Sequence, residues 1–113
     1  MDCLFCRIVN KQIPAQLAYE DEHLLGFHDI HPQAPTHVLL IPKRHIATLN
    51  DLADADMEIG GRLLLAARKV AKQLGIAEDG YRTVMNCNGN GGQTVFHIHL
   101  HLLGGRALGW PPG

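Results

Sequence analysis

The 113-residue chain is poor in aromatic residues, in long apolar runs and in net charge. Phenylalanine, tyrosine and tryptophan make up 5% of it, and its apolar runs are far shorter than the roughly 20 residues that a transmembrane helix needs. Its 10 basic residues are matched by 11 acidic residues, so the basic excess of a nucleic-acid-binding protein is missing. We therefore expect neither nucleic acid nor membrane as a partner.

Cysteine is also scarce, and three cysteines cannot form a closed set of disulfides. Such usage is typical of a reducing compartment, and the chain opens without the basic and apolar segments of a secretory signal. We therefore expect a cytoplasmic protein. Hydrophobic residues nevertheless make up 46% of the chain, which is enough for a single compact domain over residues 1–113.

What the chain does contain is a regular alternation near its C-terminus, where histidine occupies positions 97, 99 and 101 between aliphatic residues. Because successive side chains of a β-strand point to opposite faces, we expect three imidazoles on one face and a core on the other. An ordinary solvated face draws on several polar residue types. Two chemical hypotheses remain: a metal site built from imidazoles, or a nucleophile with helper histidines for acyl or phosphoryl transfer.

The segment directly before the histidines favours phosphoryl chemistry. Residues 86–94 read NCNGNGGQT, a run of permissive glycines and asparagines that ends in an amide and a hydroxyl. Such a loop can turn several backbone N–H groups toward one anion, and we expect Gln93 and Thr94 to donate to phosphate oxygens. Asn-Gly pairs also signal an ordinary hairpin turn, but the neighbouring histidines favour a phosphate site.

Cys3 and Cys6 form a Cys-x-x-Cys pair, which is typical of a redox motif or of half a zinc site. The pair lacks the strand and βαβ setting of a thioredoxin-like centre. A tetrahedral zinc site needs two further ligands, and His45 and one histidine of the 97–101 row are the natural candidates. Coincidental spacing stays open as a third interpretation.

The remaining pattern predicts an α+β fold. Apolar residues at three- and four-residue spacings predict one long helix over residues 54–74, inside which Gly60 and Gly61 permit close backbone packing. We expect a short helix at residues 4–9 and strands at residues 16–20, 23–29, 37–41, 81–87 and 95–103. These elements predict a five-stranded antiparallel sheet with one long helix and a short N-terminal helix.

The alternation from His97 to Leu103 matches the histidine triad signature, so the chain resembles the histidine triad (HIT) superfamily. Its Hint branch is similar over most of the chain, from Phe5 to Gly113. The segments that carry this similarity are Ile13–Ala15, Phe27–Ile30, Pro32–His37, Gly91–Thr94, Gly104–Arg106 and Trp110–Gly113. Hint-type proteins share this tail, and the chain looks like a bacterial member of that branch.

The resemblance implies a purine nucleoside phosphoramidase, which cleaves the bond between a nucleoside 5'-monophosphate and an amine. Its partners would be purine nucleoside monophosphates and phosphoramidates, and it would be a homodimer whose two sheets join. By motif position, His99 would be the nucleophile that becomes transiently nucleotidylated, and His101 would hydrogen-bond the phosphate. His37 and His97 would belong to the chain of imidazoles that orients the nucleophile.

The resemblance also implies a nucleotide site around the histidines. Gln93 and Thr94 would position phosphate oxygens and the leaving group, and the family commonly has serine in place of Thr94. Asp29 would accept from the ribose hydroxyls, and Asn86 would lie near the phosphate. The base would be enclosed by apolar residues, namely Phe5, Ile8, Ile13, Phe27 and Ile30.

For the Cys-x-x-Cys pair, the resemblance implies a structural zinc ion held by Cys3, Cys6, His45 and His97. Such a closed site would stay out of catalysis, which would need no cofactor. An alternative function is a nucleotide-binding interaction protein whose hydrolysis is incidental. A metalloenzyme, inactivated by chelators, is a third hypothesis.

Overall fold

A computed structural model describes residues 2–113. Its helices are α1 (Leu4–Val9), α2 (Met57–Gln73) and α3 (Asn88–Gly91), and its strands are β1 (Leu17–Glu20), β2 (Leu24–His28), β3 (Thr36–Pro42), β4 (Tyr81–Val84) and β5 (Leu100–Gly104). Two 3-10 turns, Leu49–Asp51 and Asp54–Asp56, precede α2. The strands form one five-stranded antiparallel sheet in the order β1-β2-β3-β5-β4, as the sequence predicts.

The sheet is covered on both faces because its central strands alternate between two apolar clusters. One cluster joins α2 to β3 and β5, and its buried members include Val38, Leu40 and Leu102. The other joins α1 to β2 and β3, and it contains Leu39 and Ile41. Adjacent residues of β3 therefore enter opposite cores, as the period of two requires.

Helix α2 presents the predicted apolar stripe to the sheet. Its buried residues recur at three- and four-residue spacings, and they are Leu63, Ala66, Ala67, Val70 and Ala71. The helix begins at Met57 rather than at residue 54, because Asp54–Asp56 winds as a 3-10 turn. A Cβ atom on Gly60 or Gly61 would meet nothing within 4 Å, so packing within this chain does not require glycine at either position.

Strand β5 is shorter than the sequence predicts, since it begins at Leu100 instead of residue 95. The alternation itself is confirmed, because Ile98, Leu100 and Leu102 are all buried in the cluster beneath α2. Upstream of Leu100, the N–H of Ile98 donates to the carbonyl of Ile46, and the carbonyl of His97 accepts from the side chain of His99. Strand β4 also ends early, at Val84, before the glycine-rich loop.

Within residues 2–113, no helix combines the length and the apolarity needed to cross a bilayer.

Two neighbouring leucines of α2 provide a test of this packing. Leu63 is 2% exposed in the core and Leu65 is 49% exposed. We expect Leu63→Ala to lower the free energy of unfolding by about 2–5 kcal/mol, because it leaves a cavity, and Leu65→Ala to lower it by less than about 1 kcal/mol. Urea unfolding followed by circular dichroism measures both, and equal losses would contradict this orientation of α2.

Candidate active site and metal cluster

The buried His99 lies directly before β5, and a backbone contact determines which of its nitrogens is free. Its Nδ1 lies 2.8 Å from the carbonyl oxygen of His97. Because a carbonyl oxygen only accepts, Nδ1 carries the proton, and the neutral ring keeps its lone pair on Nε2. The ring of Phe5 packs edge-on against that imidazole, with 5.1 Å between ring centroids. His99 is therefore a fixed imidazole whose Nε2 keeps a free lone pair.

A second chain of hydrogen bonds orients His101, which lies beside His99 with 5.0 Å between ring centroids. The backbone N–H of Gln33 donates to Nδ1 of His37 over 3.0 Å. Neutral His37 then carries its proton on Nε2, which lies 2.9 Å from Nδ1 of His101. His101 in turn carries its proton on Nε2, which makes that atom a hydrogen-bond donor beside the nucleophile.

Both helper histidines are held in the neutral form. Burial lowers the pKa of His101 to about 4, and the neighbouring His99 and His37 add to the decrease. Burial also lowers the pKa of His37, although Asp29 opposes that shift. The two imidazoles are therefore uncharged near pH 7, and each carries its single proton on Nε2 as described above.

Asp29 follows β2 at the edge of this histidine group. One carboxylate oxygen accepts from the N–H of His31 at 2.8 Å, and the other lies 3.5 Å from Nε2 of His37. Its own N–H donates to the carbonyl of His37. Asp29 therefore shapes the turn after β2, and one of its oxygens faces the histidines.

The glycine-rich loop differs from the predicted anion cradle. Residues Asn88–Gly91 form one helical turn. The N–H groups of Gly92 and Gln93 donate to carbonyls within the loop instead of pointing toward an anion. Gly92 closes the turn with a φ of 80°, which favours glycine. Asn86 is half-buried directly before this turn, against Gly91.

Gln93 does not face an open phosphate site, which corrects the sequence-based prediction. Its buried side chain accepts from the N–H of Asn88 and donates to the carbonyls of Ala47 and Val95. Both amide hydrogens are therefore committed, and Gln93 braces the loop from inside. Thr94, by contrast, is exposed and borders a cavity of about 440 Å³ that also touches His45 and Phe96.

The predicted base-enclosing residues are only partly brought together. Phe5, Ile8 and Phe27 are buried in the cluster beneath α1, and Ile13 packs against them. Ile30 instead lies outside the core and is 86% exposed. The apolar wall is therefore contiguous on the α1 side, and Ile30 projects separately from the turn after β2.

A second cluster brings together Cys3, Cys6, His45 and His97. Nδ1 of His97 lies 3.4 Å from Sγ of Cys3 and 3.6 Å from Sγ of Cys6. Nδ1 of His45 lies 3.4 Å from Sγ of Cys6 and 3.3 Å from Nδ1 of His97. A tetrahedral zinc ion separates sulfur from nitrogen ligands by about 3.6 Å and two nitrogens by about 3.3 Å. The four side chains are able to hold such an ion.

The protonation of His97 fits the same interpretation. Its Nε2 lies 2.7 Å from the carbonyl oxygen of Pro42, so Nε2 carries the proton and Nδ1 presents its lone pair to the cluster. The side chain of His97 therefore joins Cys3, Cys6 and His45, as the resemblance implies for a zinc site, whereas the hydrogen-bonded pair of imidazoles is His37 and His101. The three histidines do not form one continuous row, and His97 contacts His99 through its carbonyl.

Sequence reasoning missed the backbone groups that complete the site. The N–H of Gln33 and the carbonyls of Pro42 and His97 each determine where an imidazole carries its proton. A backbone group has no residue-type signature, so the sequence offered no signal for these three groups.

The family-level comparison agrees with this geometry. The sequence model of the HIT domain family matches residues 10–108 of the chain. The chain belongs to the HIT family. Within this family, purine nucleoside phosphoramidase of Escherichia coli K12 is 50% identical over 108 residues, which cover 96% of this chain and 91% of that protein.

Two solved structures of the HIT family share the fold. A HIT family hydrolase from Legionella pneumophila Philadelphia 1 is 56% identical with a TM-score of 0.97, and the match covers 99% of this chain and all of the other. A zinc-bound histidine triad family protein from Mycobacterium smegmatis is 37% identical with a TM-score of 0.79, over 94% of this chain and 76% of that one.

The bracing role of Gln93 is tested against its exposed neighbour. We expect Gln93→Ala to lower the free energy of unfolding by about 1–3 kcal/mol, because it leaves the N–H of Asn88 and two carbonyls without their partners. Thr94→Ala removes an exposed hydroxyl and should change stability by less than about 0.5 kcal/mol. Denaturant titration distinguishes them, and a Gln93 variant as stable as the Thr94 variant would refute the bracing role.

Proposed function

We propose that this HIT protein is a purine nucleoside phosphoramidase that hydrolyses the bond between a nucleoside 5'-monophosphate and an amine. The observation that carries the proposal is the pairing of an unprotonated Nε2 on His99 with a protonated Nε2 on His101. The first is a nucleophile and the second is a donor for the oxygens of the group under attack. The similarity to the phosphoramidase of E. coli supports the substrate class.

In the first step, Nε2 of His99 attacks the α-phosphorus and the P–N bond breaks. The amine departs with a proton from solvent, and the nucleoside monophosphate stays attached to His99. The Nδ1–H contact with the carbonyl of His97 stabilises the positive charge that develops on the ring. In the second step, water attacks the phosphorus and the N–P bond breaks, its electron pair returning to Nε2; neutral His99 and the nucleoside monophosphate are released, and one proton of the water goes to solvent.

His101 contributes a neutral donor to both steps. Its Nε2–H donates to a phosphate oxygen, and His37 keeps the proton on that atom by donating to Nδ1 from the other side. Because both rings are neutral near pH 7, they stabilise the developing charge without first losing or gaining a proton. Positioning and fixed donors are what phosphoryl-type transfer mainly needs.

The nucleotide is bound beside this group. Asp29 accepts from the ribose hydroxyls, and the buried wall of Phe5, Ile8 and Phe27, with Ile13, supports the base while Ile30 covers it. Asn86 and the hydroxyl of Thr94 contact the phosphate and the leaving group. Purine nucleoside monophosphates and their phosphoramidates are the ligands that suit this arrangement, since the apolar wall packs against the base without reading its polar edge.

Cys3, Cys6, His45 and His97 hold a structural zinc ion in this proposal. The ion would fix α1, which carries Phe5 and Ile8, and the backbone around His97. All four coordination positions are filled by protein, so the site supplies no open position for chemistry. Three free cysteines among the described residues are consistent with a reducing cytoplasm.

The protein is a homodimer in this proposal, joined through the free edge of β4. That strand pairs with β5 on one side only, and an unpaired edge is a template for another strand. On α2, Met57 and Leu64 are 80% and 59% exposed, and Gly61 lies between them at helical spacing. A second copy packed on this side explains why the helix carries glycine where its own chain makes no contact.

Removal of the nucleophile tests the function. We expect His99→Ala to lower hydrolysis of adenosine 5'-phosphoramidate by at least about 10³-fold, because no other Nε2 in the site has a free lone pair. AMP binding should persist, as measured by calorimetry. His23→Ala, in the β1–β2 turn, is the matched control and should keep wild-type turnover. Wild-type protein that binds AMP without turnover would support the interaction-protein hypothesis instead.

Metal content tests the cluster. We expect Cys3→Ser and Cys6→Ser to lose most bound zinc by elemental analysis after purification, because each removes one thiolate ligand. Cys87→Ser removes a half-buried thiol outside the cluster and should keep the metal. Full zinc occupancy in both N-terminal variants would contradict the assignment.

Sedimentation tests the dimer. We expect Leu64→Lys to shift the protein toward monomer at a given concentration, because it places a charge on the packed side of α2. Arg62→Gln, which changes an exposed side chain on another side of α2, should sediment like the wild type. A monomeric wild type at micromolar concentration, or equal behaviour of both variants, would show that this side of α2 is not the interface.

A further inference from the structure

We propose that Arg106 is a positioning residue for the reaction: it immobilises Gln33 and thereby fixes the protons on His37 and His101. Its effect on turnover rests on the proposed function, whereas its effect on the histidine protons does not. Arg106 itself contacts no residue assigned above to substrate binding or chemistry.

Each of the three guanidinium nitrogens of Arg106 donates a hydrogen bond to a backbone carbonyl. Nε and Nη2 both donate to the carbonyl of Gln33, over 3.1 Å and 3.0 Å, and Nη1 donates to the carbonyl of Ala107 over 3.0 Å. Hydrogen bonds from a charged planar guanidinium are stronger and more directional than those from a neutral donor. An exposed arginine that is committed in this way acts as a clamp.

The backbone before Arg106 is pressed against the same loop. Gly105 has a φ of 90°, and a Cβ atom there would lie 2.9 Å from Cβ of Pro35. Only glycine permits both the conformation and this approach. The segment that leaves β5, the strand of His101, therefore contacts the loop before β3 at Pro35 and at Gln33.

Gln33 connects this clamp to the histidines. Arg106 holds its carbonyl, while its N–H donates to Nδ1 of His37. Because the two groups flank one Cα atom, the clamp restricts the rotation that would turn the N–H away. The other hydrogen bonds of this loop, from Gln33 Nε2 to the carbonyl of His31 and from the N–H of His31 to Asp29, leave the Gln33 backbone unrestrained.

Loss of the clamp has a defined consequence at the site. If Gln33 no longer donates to Nδ1 of His37, the proton of that ring is free to move to Nδ1. Nε2 of His37 then accepts, so His101 must place its own proton on Nδ1 to keep the contact between the two rings. Nε2 of His101 thereby changes from a donor to an acceptor, and the phosphate loses a hydrogen bond in the transition state.

The experiment compares Arg106→Gln, Arg106→Lys and the control Arg62→Gln. Arg62 is an exposed arginine of α2 paired with Glu58, so its variant removes one charge without touching the loop. Long-range ¹⁵N–¹H spectra of the imidazoles report which nitrogen of His37 and His101 carries the proton. Steady-state hydrolysis of adenosine 5'-phosphoramidate reports kcat and KM, and thermal unfolding verifies that each variant is folded.

In Arg106→Gln, we expect His37 and His101 each to exchange between their two neutral tautomers, with the proton on Nδ1 in one and on Nε2 in the other. We expect kcat to fall by about 10-fold or more and KM to change by less than about threefold. Arg106→Lys, which keeps the charge without the planar fork, should fall between this variant and the wild type. Arg62→Gln should match the wild type in both measurements.

Unchanged imidazole spectra in folded Arg106→Gln would overturn the proposal, even if kcat falls, because the loss would then have another cause. Changed spectra with an unchanged kcat would also overturn it, since turnover would then not depend on which nitrogen of each imidazole carries the proton. If the wild type itself hydrolyses no phosphoramidate, the proposed function fails, and the spectra alone still decide whether Arg106 fixes the protons.

Discussion

The hydrogen bond from Nδ1 of His99 to the carbonyl of His97 is the interaction on which the rest of the site depends. A neutral imidazole can carry its proton on either nitrogen, and this contact holds the proton on Nδ1 and leaves the lone pair of Nε2 free. The contact lies directly upstream of β5, which begins at Leu100. The backbone at residues 97–99 therefore contributes directly to the orientation of His99.

His97 links two centres that differ in purpose. Its side chain is fixed between Pro42 and the cysteine pair, and its carbonyl fixes the imidazole of His99. Phe5 connects the same two regions, because its ring packs against both His97 and His99. The N-terminal segment thus acts on the reacting atom through packing and backbone geometry, without supplying a reacting group. A structural metal in this position would stabilise the site while remaining outside the reaction.

The sequence predicted most of the scaffold because local periodicity determines it. The stripe of α2 and the burial of Ile98, Leu100 and Leu102 follow from spacing alone. The bracing role of Gln93 could not be predicted, because the carbonyl of Ala47 that it contacts lies 46 residues away. The sequence reads the same whether the amide at this position is exposed to a ligand or buried in the loop. The separation of His97 from His99 does not follow from the alternation itself, although the resemblance already implied His97 as a zinc ligand. A strict alternation predicts a shared face, and only the long-range contact with Cys3 shows that the first imidazole turns elsewhere.

The central claim is that Nε2 of His99 is the atom that attacks phosphorus, because Nδ1 is occupied by a backbone carbonyl. The most direct measurement is to trap the covalent nucleotidyl-protein by rapid quenching under non-acidic conditions and to locate the phosphorus by ³¹P–¹⁵N correlation in labelled protein. The account predicts a single adduct on Nε2 of His99. An adduct on Nδ1, on another histidine, or no covalent adduct during active turnover would contradict it.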